Sequence, residues 1–229
     1  MKGFTMKNYI IALDGPAGAG KSTLSKMLAK KLGISYIDTG AMYRASAIYA
    51  LESGVDPTVD SEKLQKLLKT IEIDFRLEED EQKIYLNDVD VSREIREPNI
   101  SGYASAISAI PFVRDHLVVM QRRLAEGKPV LMDGRDIGTN VFPNADIKIY
   151  LTADVDDRAR RRHTELKEKG DKSTYEQVLD EMIKRDENDK NREYAPLKKA
   201  DDAILADTTG KELSESFELL YNLIKKTIN

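Results

Sequence analysis

The sequence predicts an α/β fold: a parallel sheet with helices on both faces and a small antiparallel sheet set into it. Three observations predict it. Short apolar runs alternate with longer amphipathic segments along the chain, which is how a parallel sheet with covering helices reads. Between Thr70 and Arg96 that rhythm breaks, and IEIDFRL, KIYLN and DVDVS alternate apolar with polar residues instead. The chain has 229 residues, enough for one substantial core with small insertions and short for two independent domains.

In order, Tyr9–Leu13 reads as the first buried strand, followed by a glycine-rich turn and a helix over 21–32. Ser35–Asp38 is the second strand, with helical periodicity at 41–52 and 61–69. The alternating segments then form a three-strand antiparallel meander, with acidic or Asn-containing turns between its strands. A helix over 112–126 leads into the strand Pro129–Met132. Ile147–Leu151 is the fourth strand, followed by helices at 155–169 and 175–190. Ala203–Ala206 is the fifth, and a helix over 212–227 follows it. The meander admits two readings, surface decoration and a substrate-facing insertion; the second gains from the habit of phosphate-handling folds of placing extensions beside their cleft.

Composition excludes several classes. Hydrophobic residues make up 41% and charged residues 33% of the chain, the profile of a soluble globular protein with a heavily charged surface. The 36 basic side chains are outnumbered by 40 acidic ones, which argues against a protein built to hold a nucleic-acid backbone. There is no cysteine, hence no disulfide, thiolate metal site or cysteine nucleophile. His116 and His163 are too few and too far apart to propose a metal site. No apolar run approaches the ~20 residues of a membrane span, and the start MKGFTMKNYIIALDG is too briefly apolar for a signal peptide. The expectations are a cytoplasmic protein, a dispensable extension before Met6, and, with no long heptad repeat in view, a monomer.

Gly15-Pro16-Ala17-Gly18-Ala19-Gly20-Lys21-Ser22, followed by Thr23, fits GxxxxGK[ST] in full, after the strand YIIALD and at the head of the helix KSTLSKMLAKKL. Glycines let the backbone turn its N–H groups toward phosphate oxygens. The helix N-terminus adds its positive end, Lys21 spans the β- and γ-phosphates, and the Ser22 hydroxyl is a ligand for Mg²⁺ carried by the nucleotide. The bare pattern arises by chance in roughly one chain in a hundred of this length, and the strand-before, helix-after context lowers that. This is a nucleotide site.

No NKxD guanine reader exists, and DTTG at 207–210 lacks partner motifs and reads as a strand-to-turn end. The candidate strand before 133 ends VLMDGRD rather than in the Asp-Glu usual for transport or helicase ATPases. Small-molecule kinases remain, and they need a cationic pocket for the acceptor. Thr39 and Arg44 of DTGAMYR stand at the carboxyl end of the second strand and Arg135 of DGRD at that of the third, where open α/β sheets bind ligands. Arg185, Asp189 and Arg192 are spaced i, i+4, i+7, on one face if the helix persists that far. Each has a plainer alternative: Arg44 as a surface residue, Arg185–Asp189 as an exposed ion pair worth under ~1 kcal/mol. Arg158, Arg160, Arg161 and Arg162 open a helix rich in acidic neighbours. They read as a solvated charged face or as a lid whose arginines close over a transferring phosphoryl group. Asp133 reads equally as a structural residue or as a holder of the Mg²⁺ shell through water.

From about Ile10 to Asp207 the chain resembles the bacterial cytidylate kinases, within the nucleoside-monophosphate kinases. The resemblance rests on LDGPAGAGKST, DTGAMYR, SAISAIPFVR, DGRDIGT followed by VFP, RARRR and RDENDKNREYAPL. It implies a P-loop kinase fold with a five-stranded parallel sheet, the P-loop strand central. A single domain over 6–229 would include an acceptor-binding insertion at 66–103 and a helical lid at 155–190. It implies that Thr39, Arg44, Arg135 and Arg192 hold the acceptor phosphate, that Ser105, Arg114 and Asp136 read cytosine, and that Arg185 and Asp189 hold the ribose. Lys21, Arg135, Arg158, Arg162 and Arg192 would be catalytic, with Arg158 also on ATP. The implied reaction is ATP + CMP → ADP + CDP, with dCMP accepted.

The chemistry stands beside that likeness. Cytosine offers an amino donor at N4 and acceptors at N3 and O2, so a carboxylate with a guanidinium fits it, and uracil mismatches both contacts. A site left with unpaired buried polar groups discriminates by ~10⁴-fold. Rivals are a kinase for another small acceptor and a regulatory ATPase with no acceptor.

Overall fold

Each apolar run read as a buried strand is a strand in the structure, a computed structural model that describes residues 8–79, 81–97 and 99–228, but the fifth, at the sheet's edge, is exposed except at Ala206. In chain order the elements are β1 (Ile10–Asp14), α1 (Lys21–Leu32), β2 (Ser35–Asp38), α2 (Thr39–Glu52), α3 (Glu62–Leu68), β3 (Ile73–Glu78), β4 (Glu81–Leu86) and β5 (Val89–Asp90). A 3-10 turn (Glu94–Arg96) follows, then α4 (Ile100–Ile107), α5 (Pro111–Leu124), β6 (Val130–Gly134) and a π turn (Ile137–Val141). The remainder is β7 (Ile147–Thr152), α6 (Val155–Glu168), α7 (Tyr175–Asn191), β8 (Ile204–Asp207) and α8 (Leu213–Ile228). The chain divides into two compact units, one from the residues up to Tyr36 with those from Gly127 onward, the other Ile37–Glu126.

The five-stranded sheet runs β2-β6-β1-β7-β8. β1 pairs in parallel with β6, Leu13 opposite Asp133 and Asp14 opposite Gly134, and with β7, Asp14 opposite Tyr150. This register brings the ends of β1 and β6 to one edge, so the glycine loop after Asp14 and the DGRD turn after Met132 leave the sheet side by side. One face of the sheet packs Ile11, Leu13, Leu131, Ile149 and Leu151 against Leu24 and Leu28 of α1 and Leu220 and Ile224 of α8. Each fully buried Leu or Ile contributes about 1.5–3 kcal/mol over an exposed one. The i, i+4 spacing of Leu24 and Leu28 is what makes this segment a core helix. At its C-terminus Gly33 takes the left-handed conformation, φ 67°, and Lys30 and Lys31 occupy the last turn, both favourable terminating features.

The other unit carries the expected antiparallel sheet, order β3-β4-β5. β4 and β5 meet through Asn87-Asp88, both at positive φ (46° and 65°), the two-residue turn whose twist suits a hairpin. The third strand is shorter than DVDVS promised, Val89–Asp90 alone. Ser92 Oγ, accepting from the Ile84 amide, replaces its continuation.

Two readings need correcting. The segment 100–107, left without helical structure from its sequence, forms α4. Its Ser and Gly are weak helix formers, but Ile100, Ala104 and Ile107, at i, i+4, i+7, are buried, and packing against α2 carries it. And α7 ends at Asn191: Arg192 is extended, φ −61°, ψ 138°, so it does not share a helical face with Arg185 and Asp189. Among the described residues no helix is long and apolar enough to cross a membrane.

Candidate functional site

The glycine loop lies tightly against its surroundings. A Cβ on Gly15 would meet the Leu151 carbonyl oxygen at 2.0 Å, and one on Gly18, at φ 69°, would meet Met182 Cε at 2.8 Å. Only glycine lets the backbone pass the Leu151 carbonyl so closely, and the left-handed φ of Gly18 favours glycine in its own right. Gly20, also left-handed, starts α1 with no side-chain cap and no acidic residue in the first turn. The N-terminal N–H groups and positive end of α1 therefore remain for an anion.

Lys21 is buried and folds back over the loop, its Nζ donating to the carbonyls of Gly15 (2.8 Å) and Pro16 (2.7 Å). Burial holds this ammonium well below its ordinary pKa; the nearby charges of Arg135 and Arg185 push the same way, and Asp133 and Asp189 oppose them. An entering polyanion would reverse that balance. Ser22 Oγ donates to Asp133 Oδ2 (3.1 Å), while the buried Tyr36 hydroxyl donates to Asp133 Oδ1 (2.9 Å). Thr23 follows at the surface.

At the end of β1, Asp14 accepts from the amides of Ile137 (2.8 Å) and Gly138 (2.7 Å). Burial pushes its carboxyl up to about 6, against the two amide bonds, which lower it. These bonds anchor the π turn that follows DGRD, so the end of β1 fixes the path of residues 135–141. Just before that turn Asp136 is buried, with Oδ2 accepting from Asn140 Nδ2 (3.0 Å) and Oδ1 3.6 Å from Arg192 Nη2. Arg135 Nε donates to Asp189 Oδ2 (2.7 Å), and Arg192 Nη1 lies 4.0 Å from the other oxygen of Asp189. Burial alone would raise the Asp189 carboxyl, but Arg135, Arg185 and Arg192 together hold it below its usual value. Arg135, Asp136, Asp189 and Arg192 thus form one cluster, and Arg185 feels the same charges.

The arginines of α6, expected on one face, take three different partners. Arg158 is buried and turns onto the glycine loop, Nη1 reaching the Ala17 carbonyl (2.7 Å) and Asp186 Oδ2 (2.6 Å). Arg161 donates to the Thr208 carbonyl (2.8 Å) and Arg162 to Glu165 Oε2 (2.9 Å). The DTTG turn behaves as read: Asp207 ends β8 and accepts from the Thr209 amide and hydroxyl.

In the second unit, Asp38 caps α2 through the Ala41 amide (2.9 Å) and pairs with Arg44 (3.2 Å). Thr39, the first residue of α2, is buried. Arg114 is 1% exposed, with Nη1 donating to the Ser108 carbonyl (2.9 Å) and its guanidinium 5.5 Å from the Tyr43 ring centroid. Ser105 is half-buried, and its carbonyl takes the Ser108 hydroxyl (2.8 Å).

Four polar residues of these networks were missed from sequence. Asp14 carried a signal, an acidic residue closing an all-apolar buried strand. Asp186 was hidden among the charges of RDENDK, and Tyr36 and Asn140 carried none.

Residues 11–226 match the family described as Cytidylate kinase. A cytidylate kinase from Caldicellulosiruptor bescii is 49% identical over 227 residues, covering 97% of this chain and all of the relative. One from Fusobacterium nucleatum subsp. nucleatum is 47% identical over 221 residues, 96% and 99% of the two chains. A crystal structure of an uncharacterized protein from Eubacterium ventriosum shares the fold, with TM-score 0.51 at 12% identity over 95% of this chain and 99% of that one.

Proposed function

The chain belongs to the cytidylate kinase family and is a phosphotransferase of the P-loop kinase fold, and from that premise we propose that it moves the γ-phosphate of ATP onto CMP and dCMP. The observation that carries the proposal is the meeting of two charge systems in the first unit. The loop lysine Lys21 lies within the electrostatic reach of Arg135, Arg185 and Asp189, so a donor polyphosphate cradle adjoins a buried cluster suited to a second anion.

In this reading the loop from Gly15 to Thr23 takes the donor phosphates and Lys21 leaves its own carbonyls for them. Arg135 and Arg192 hold the acceptor phosphate, Arg185 and Asp189 the ribose, and Asp136 accepts from the cytosine amino group. From the second unit we assign Thr39 and Arg44 to the acceptor phosphate and Ser105 and Arg114 to the base. Arg162 supplies charge to the transferring group from α6. No general base is needed: a phosphate monoester has its second pKa near ~6 and is largely a dianion at neutral pH. The obstacle is repulsion between two anions, which the cations offset while fixing the groups in line.

Ser22 and Asp133 offer hard oxygen donors 3.1 Å apart, a set that suits Mg²⁺, which prefers oxygen ligands shared with substrate phosphates and water. Ser22 would hold the ion, and Asp133 its shell; when bound it would neutralise charge on the donor phosphates. Tyr36 and Ser22 keep the Asp133 carboxylate oriented. We take the enzyme to work in the cytoplasm.

The deciding experiment is ADP release from Mg-ATP with CMP, dCMP, UMP, AMP, GMP or no acceptor. Rapid turnover with CMP and dCMP alone is expected. Turnover with UMP alone would discard the Asp136 reader, and turnover independent of any acceptor would discard the kinase reading.

A further inference from the structure

Ala17, in the middle of the glycine loop, is held by both of its backbone polar groups. Its N–H donates to Asp186 Oδ1 (3.0 Å) and its carbonyl accepts from Arg158 Nη1 (2.7 Å). The two side chains are themselves paired at 2.6 Å. Arg158 Nε is fixed in turn on the Ala153 carbonyl (2.9 Å), at the entry to α6. All three partners are buried: Ala17 and Arg158 are 6% exposed and Asp186 5%. The helices also press on the next residue, since a Cβ on Gly18 would lie 3.3 Å from Arg158 Cβ and 2.8 Å from Met182 Cε. Ala17, Ala159 and Met182 form a small apolar cluster beneath.

A buried ion pair is poorly explained by stability alone, because well-packed apolar residues of similar volume commonly serve as well or better. What apolar residues do not supply is a partner for each side of Ala17, whose amide and carbonyl would otherwise be buried and unpaired. In a loop whose remaining N–H groups must converge on phosphate oxygens, turning this one amide to Asp186 fixes the direction of those that follow.

We propose that Asp186 and Arg158 are positioning residues of the donor site. They pin the Ala17 backbone from α7 and α6 and so hold the phosphate loop in its anion-binding shape. Arg158 acts on the nucleotide through the loop. The proposal rests on the phosphotransferase reading for its ligand and deepens it by naming what sets the loop. It also ties the two charge systems to one helix, since α7 carries Asp186 to the loop and Asp189 to Arg135.

The test is calorimetric binding of Mg-ATP and, separately, of CMP to the full chain, with melting temperatures alongside. Asp186→Asn keeps size and one acceptor but sets an amide against Arg158. We expect its Mg-ATP dissociation constant to rise ~10–100-fold, the range for losing a charged hydrogen bond, with the CMP constant within about twofold of the parent. Asp186→Glu, which keeps the charge, should recover part of the loss. The paired change Arg158→Met with Asp186→Leu fills the same space without polar partners. It should melt close to the parent yet bind Mg-ATP as weakly, which keeps the test alive if Asp186→Asn does not fold.

Faster exchange of the Ala17 amide in these variants, followed by NMR, would locate the effect on the loop. Unchanged Mg-ATP affinity in the folded paired variant overturns the proposal. So does a parallel loss of Mg-ATP affinity, CMP affinity and melting temperature, which is the mark of a merely structural pair. A parent protein that binds Mg-ATP but turns over no acceptor would sink the kinase reading and leave this comparison intact.

Discussion

In the first unit, Asp14, Lys21, Asp133, Asp136, Lys148, Arg158, Asp186 and Asp189 are all buried, and nearly all of them contact the glycine loop or the DGRD turn or hold a partner that does. In the second unit Arg114 is the one buried charged side chain among the described residues; the rest of its charge lies at or near the surface. The difference separates two ways of building a site. Where charges hold one another and the backbone, the same residues serve fold and chemistry, and changing one moves both. Where the buried charge is one guanidinium, held by the Ser108 carbonyl and beside the Tyr43 ring, fold and ligand recognition come apart more readily.

The largest consequence belongs to the first unit. Lys21→Ala removes the strap across Gly15 and Pro16 and the cation assigned to the transferring phosphoryl group. It should lower kcat by ~10³-fold or more, the scale of a lost preorganised donor in such a site. Steady-state rates with saturating Mg-ATP and CMP measure it, and a loss below tenfold would remove Lys21 from the chemistry. The counterpart in the second unit is Arg114→Met, which keeps much of the volume and drops the charge. It should raise the KM for CMP ~10–100-fold while the dissociation constant of Mg-ATP stays put. If both constants shift together, the contrast between the units fails.

That contrast also explains what the sequence made legible. The loop could be read because GxxxxGK[ST] is a backbone requirement written in residue types: Gly15 meets the Leu151 backbone too closely for any Cβ, and Gly18 is left-handed at φ 69°. The inner strands were legible because buried parallel strands are continuous apolar runs; β8 was legible as an apolar run although only its Ala206 is buried. α4 was not, because ISGYASAI has the composition of a loop and owes its helix to three buried positions brought together by tertiary packing. Asp186 was invisible for a related reason. A carboxylate that serves a distant backbone amide looks, in sequence, like any other surface charge. Sequence left Arg158 on a solvated charged face or on a lid, whereas its partners lie 141 and 28 residues away in the chain, and no local pattern encodes that.

Asp14 in the first unit and His116 in the second should answer pH with opposite signs. Burial raises Asp14 from 3.8 to about 6, so between these values the folded protein keeps a proton that the unfolded chain has released. Its contribution to stability therefore falls as pH rises through that window, by on the order of 2–3 kcal/mol in all. His116, in the second unit, is shifted the other way: burial lowers it from 6.5, outweighing its bond with the Leu68 backbone. Below about 6.5 the unfolded chain takes the proton first, so this contribution is lost as pH falls. Urea unfolding from pH 4 to 8 would separate them. Asp14→Asn should remove the loss of stability on rising from pH 4 to 6, and His116→Leu the loss on descending below 6.5. If either variant keeps the parent's slope, that group is not the titrating one.

The smallest effect is expected where charge is densest in the second unit, on its antiparallel sheet. Arg76 stacks over Tyr85, 4.0 Å from the ring centroid, and pairs with Asp74 and Asp88 at 3.2 and 2.5 Å. Lys83 beside it bridges Glu78 and Asp90. In its number of ion pairs this patch exceeds the Arg158–Asp186 pair, but Arg76 has 40% of its side chain exposed, and water and salt screen such pairs nearly to nothing. Arg76→Ala should therefore leave the melting temperature within ~1–2 °C of the parent, and raised salt should shrink even that difference. A drop of ten degrees would mean that the small sheet depends on its charges, and that burial is the wrong criterion for telling the two units apart.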